Sequence, residues 1–191
     1  MTIDPCRIFR KMARNNTLAN ARLLGACAQL QPGEFEAPRT SFFPSIKATL
    51  NHILTVDWFY VDALEGGTLG PAAFDNEEPF ETIDTLHKAQ SAVDQRLLSL
   101  CDALTADALV QDVTVHRGTR LQIERCDDLL FHLFHHQTHH RGQVHAMLAG
   151  TSVKPPQLDE FITATDFRDR ADDMQKLGWT EADLGHSKGK L

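Results

Sequence analysis

The chain has 191 residues, 42% apolar and 24% charged, enough for one domain whose core needs neither disulfides nor a structural metal. Its formal charge of −7 comes without a block of Lys and Arg, which excludes the basic surface that phosphate backbones require, so no nucleic-acid partner is expected. No run of about 18 apolar residues could span a bilayer, and the opening "MTIDPCRIFRKMARNN" has no apolar stretch behind its charges; a cytoplasmic protein without a membrane partner is expected.

Four long helices are predicted. "DPCRIFRKMARNNTLANARLLGACAQL" opens with Asp4 as N-cap and Pro5 in the first turn, carries apolar Ile8, Phe9, Met12, Ala19 and Leu23, and stops at Pro32-Gly33. The second begins near Pro44 and runs through "SIKATLNHILTVDWFYVDALE" to Gly66-Gly67, apolar on nearly every side, as a central helix is. After a loop over 66–81, "TIDTLHKAQSAVDQRLLSLCDAL" places Leu86, Val93, Leu97, Leu100 and Leu104 at helical spacing, an amphipathic surface helix.

"LVQDVTVHRGTRLQIER" then alternates around an Arg117-Gly118 turn and reads as a short β-hairpin. The last long helix spans 125–149 and ends at Gly150, after which "KPPQLDEF" turns the chain and the tail ends as helical pieces and a frayed "HSKGKL". We therefore expect residues 1–165 to form the domain and 166–191 an extension of it. Cys6, Cys27, Cys101 and Cys126 stand far apart with no C-x-x-C pair, so reduced, buried thiols are expected.

The segment "FHLFHHQTHHRGQVHAML" (131–148) holds six of the ten histidines. With His136 at zero and about 100° per residue, Leu129, Leu133, Val144 and Met147 fall at about 20°, 60°, 80° and 20°, and His140 at about 40°. His136 and His140 thus share the buried stripe. His135, His139 and His145 fall off it and read as a solvated face, with His132 and Gln143 at its edge. On the second helix, His52 shares a side with Thr49, Val56, Phe59 and Ala63.

A lone buried histidine is usually a hydrogen-bonded core residue, and a lone H-x-x-x-H is weak evidence of a metal. Three buried imidazoles are costly without partners, however, and coordination uses each ring's lone pair. His52, His136 and His140 are the candidate metal ligands; His87, His116 and His186 are set aside.

"HHQTHHRGQ" (135–143), "SIKATLNHILTVDWF" (45–59) and "PPQLDEF" (155–161) closely resemble the DinB family of metalloproteins, the DinB/YfiT-like superfamily, over roughly residues 5–162. The resemblance implies an all-α, up-and-down four-helix bundle of that type, here with a short β-hairpin before the last long helix. It also implies a homodimer and a divalent metal on the three histidines matching His52, His136 and His140. His135 departs from the pattern, since close relatives often carry Asn there.

Three histidines leave coordination positions open to water or substrate, as catalytic sites do. Such a metal lowers the pKa of bound water or of a bound thiol. The expected function is a metal-dependent enzyme acting on a small molecule. Relatives resembling this chain include transferases and isomerases that use low-molecular-weight thiols, and amide hydrolases. The alternative is a non-catalytic metal-binding or sensor protein. Zn or Ni is the first expectation for the ion, with Fe, Co or Mn also compatible with imidazole donors.

Gln137 stands where a metalloprotease of the H-E-x-x-H type has its glutamate base, which disfavours that class. The paired Glu-x-x-His motifs of di-iron proteins are also missing, so one metal is expected rather than two. Arg141 and Gln143 could orient ligands or a substrate carboxylate, and Asp57 could pair with Arg141. Interhelical hydrogen bonds that merely fix the helices explain these residues equally well.

Overall fold

The computed structural model describes residues 3–159 and 162–186. Its long helices are α1 (Arg7–Cys27), α2 (Ile46–Leu64) and α3 (Ile83–Ala103), followed by the single turn α4 (Ala106–Leu109), the antiparallel strands β1 (Asp112–His116) and β2 (Leu121–Arg125), and the long α5 (Cys126–Leu148). The fold is thus mostly helical with one small sheet. A short α6 (Ala171–Leu177) follows.

Local chemistry sets the boundaries. Helix α1 starts at Arg7 rather than beside Asp4, because Asp4 Oδ1 accepts from the Cys6 N–H (3.0 Å) and holds a turn ahead of the helix. It also ends at Cys27, short of Pro32-Gly33. Ser45 caps α2, its Oγ accepting from the Ala48 N–H (3.0 Å), and Gly66 with φ 82° turns the chain after the helix ends. Thr82 caps α3 in the same way. Helix α5 has no side-chain cap, but Asp127 and Asp128 in its first turn suit the positive end of the helix dipole.

Helix α1 packs on α3 and α5, and α2 packs on the same two, so every long helix adds to one core. On α3 the predicted stripe buries Leu86, Val93 and Leu97. The hairpin lies against α2 and the start of α5. Val115, paired with Gln122, faces inward, whereas Leu121 and Ile123 stand 61% and 53% exposed.

All four cysteines are free and buried, as expected, and burial pushes the Cys27 and Cys101 thiols up to about 12. Among the described residues no helix is long and apolar enough to cross a membrane.

Met174 and Leu184 of the C-terminal segment pack on Leu18 and Ala19 of α1. His186, which the sequence placed in a frayed end, is instead held by Glu181 (2.8 Å) and Arg170 (3.2 Å). Residues 160–161 of "KPPQLDEF" and the tail after His186 lie outside the described residues.

Candidate metal centre

Helices α2 and α5 bring His52, His136 and His140 together, one ring nitrogen from each lying within 4.8 Å of the others. The Nε2 atoms of His52 and His136 are 3.0 Å apart. Two nitrogens bound at about 2.0–2.1 Å to one tetrahedral ion would stand only slightly farther apart, so this pair stands near the spacing of two ligands of one divalent cation, with the third nitrogen within 4.8 Å. The ring centroids are separated by 4.4–5.0 Å. His140 is buried; the other two are half-buried, which leaves one side of the cluster open.

Each ring is biased toward the neutral, metal-binding form. Burial, reinforced by His140, pushes His52 down to about 4, and burial with four neighbouring histidines, His140 and His52 foremost, pushes His136 to about 3. His140 is lowered by burial too. Its Nδ1 lies 2.8 Å from Gln143 Oε1, a contact that places the proton on Nδ1 and frees Nε2 for a ligand role. The amide of Gln143 in turn donates to His139 Nε2 (3.1 Å). Phe43, on the loop before α2, stacks on His52 at 4.3 Å and meets His140 at 5.6 Å. The Nδ1 of His136 is buried without a hydrogen-bond partner.

The neighbouring histidines divide as the wheel indicates, with one exception. His135 and His139 are exposed. His132 stands beside the centre, its ring 6.3 Å from His136 and 5.0 Å from Tyr60. His145 is not solvated: it is half-buried, with Nε2 2.9 Å from the Pro156 carbonyl.

Behind the centre lies a second polar set that sequence reasoning largely missed. Arg141 Nη1 donates to the amide oxygens of Asn20 (3.0 Å), Gln137 (2.9 Å) and Asn16. The NH2 groups of the same amides donate onward, Asn16 and Asn20 to Asp94 and Gln137 to Asp57. Gln90 bridges both carboxylates, at 2.7 Å from Asp57 and 3.1 Å from Asp94. Asp57 and Arg141 therefore do not pair directly, as the sequence suggested; Gln137 stands between them.

Burial, reinforced by Asp94, holds the Asp57 carboxyl well above its usual range, and burial pushes Asp94 up to about 6. Arg141 is lowered by burial to about 10, so it stays charged at neutral pH. All seven residues are buried. Their role is to join α1, α2, α3 and α5. The signal for them was present, since Gln90 and Asp94 lie four residues apart on the stripe that carries Leu86 and Leu97.

The DinB family model matches residues 5–172, and the chain belongs to that family. In fold it resembles a DinB-like protein of Bacillus cereus, with 14% identity, a TM-score of 0.59, and coverage of 76% of this chain and 94% of the other. It also resembles a DinB-like protein of Bacillus subtilis, with 15% identity, a TM-score of 0.56, and coverage of 77% and 96%. No curated protein matches the chain in sequence.

Proposed function

We propose that this protein is a metal-dependent enzyme whose centre is one divalent cation, Zn or Ni before Fe, Co or Mn, held by His52, His136 and His140. The observation that carries the reading is the convergence of three neutral imidazoles from two helices on one point, one of them fixed in tautomer by Gln143. When bound, such an ion supplies Lewis acidity that turns a bound water or thiol into a nucleophile near neutral pH. The chain's own share is to hold three ring nitrogens in place, to leave one side of them open and to cover another with Phe43. Thiol-dependent transfer or hydrolysis on a small molecule is the chemistry this suits.

The four long helices are read here as an up-and-down bundle over residues 1–165, with 166–191 as an extension, and the protein as a cytoplasmic homodimer. Exposed Leu121, Ile123 and Phe131 are apolar surface that a second copy would cover.

One observation favours a non-catalytic alternative: among the described residues the histidine cluster contains no carboxylate to serve as a base. Metal analysis of the purified protein beside His136→Ala tests the centre, with near-stoichiometric metal expected in the parent and at least a hundredfold weaker binding in the variant. Equal metal content in both would remove the reading. Chelation then separates the alternatives. A large loss of thermal stability with no change in ligand binding marks a structural ion, and the reverse marks a working one.

A further inference from the structure

A cavity of about 610 Å³ opens beside the centre, between the loop at 38–42 and the last turns of α5. One of its walls touches a candidate metal ligand and another reaches one through a neighbouring ring. Gln143 lines it and holds His140 Nδ1 at 2.8 Å. Phe42 lines it too, and its ring meets Phe43, the residue stacked on His52, at 4.9 Å. Met147 adds an adaptable apolar surface. Phe42 itself is 80% exposed, an aromatic ring at the rim.

Among the described residues Arg39 is the one charged side chain lining this cavity. Its Nη2 donates to the Glu34 carbonyl (3.1 Å) and its Nη1 to that of Gly150 (3.5 Å), both neutral acceptors. Its Nε is buried without a hydrogen-bond partner. Glu34, whose carboxylate feels the Arg39 charge, commits its oxygens to Ser152 (2.8 and 2.6 Å) and the Gln31 N–H (2.9 Å). Among the described residues Arg39 joins no ion pair. A guanidinium that lines a partly apolar cavity and meets only neutral carbonyls keeps a positive charge suited to an anion.

We propose that this cavity seats the substrate of the three-histidine centre, and that Arg39 recognises a carboxylate on a small molecule with an apolar body whose other end reaches the ion. The inference rests on the metal-centre reading above and adds the substrate class to it. Arg39 sets which molecules bind; Phe42 and Met147 take their apolar part.

The test uses the full chain loaded with Co(II), whose visible absorption reports a thiolate joining the ion. The probes run from 3-mercaptopropionate to 6-mercaptohexanoate, each acid paired with its amide, which keeps the sulfur and the length but removes the charge. At the best length the acid is expected to bind roughly ten- to hundredfold more tightly than its amide. Arg39→Met is expected to bring that ratio near one with the metal spectrum unchanged. Ala146→Glu, which puts a carboxylate into the same cavity from an exposed helix position and leaves the loop contacts of Arg39 alone, is expected to do the same.

Equal binding of acid and amide along the whole series, or a preference that survives in both variants because the carboxylate sits on the ion, overturns the inference while the metal centre stands. Failure to take up Co(II) at all overturns the centre and this inference with it.

Discussion

Helix α5 carries two polar clusters back to back, and they differ in how far protein contacts complete them. His136 and His140 face the half-open centre, while Gln137 and Arg141, the next residue in each case, face the buried network. In the network one cation, two carboxyls and four amides answer one another, and among the described residues Asp57 Oδ1 is a fully buried atom left without a partner. The centre is the reverse. Its rings meet one another, the Nε2 atoms of His52 and His136 stand 3.0 Å apart, and His136 Nδ1 is buried without a hydrogen-bond partner. The network thus closes on itself, whereas the three-histidine cluster gathers ring nitrogens that could hold a metal.

The comparison breaks most readily at Arg141. Arg141→Met leaves three buried amide oxygens without their donor and two buried carboxyls without the neighbouring positive charge, and a loss of about 3–5 kcal/mol in urea unfolding is expected. A loss under about 1 kcal/mol would mean the network is not the clamp described.

The next effect is a pH dependence. Burial raises the Asp94 carboxyl from 3.8 to about 6, so the folded state holds this proton more tightly than the unfolded chain does. Its contribution to stability is full below about 4 and is lost as pH rises through about 6. Relative to Asp94→Asn, the parent should therefore gain on the order of 2–3 kcal/mol between pH 7 and pH 4. Paired denaturant titrations would read this, and a constant difference across the window would contradict it.

Gln143→Leu sharpens the other side. It removes the acceptor that orients His140, and metal affinity is expected to fall about 10–100-fold in competition with a chromophoric chelator. The stability of the metal-free chain should hardly move. The smallest effect belongs to His135→Ala, whose exposed ring should cost less than about 0.5 kcal/mol and leave metal binding unchanged.

The three-histidine cluster was legible in the sequence because helical periodicity is a strong constraint: His136 and His140 had to share the face of Leu133 and Val144. The long helices were legible for the same reason, whereas their caps were not: Asp4 reads as a cap and lies ahead of α1, and Ser45 and Thr82 emerge only from the structure. The hairpin was readable as an element, but not the direction of its faces. The register sets Gln122 beside the inward Val115 and leaves Leu121 and Ile123 outward. Asp57 and Arg141 could be guessed as partners, but the amide between them required three dimensions. Least legible were Arg39 and Phe43, because a loop takes its path from distant contacts such as Glu34 with Ser152, which no local pattern encodes.

The four sequestered thiols give the molecule a set of internal reporters. Cys6 and Cys27 flank or end the first helix, Cys101 sits near the end of the third and Cys126 opens the fifth. Alkylation at neutral pH must wait for each region to breathe, so labelling rates read site by site would rank local opening along the chain without adding any probe.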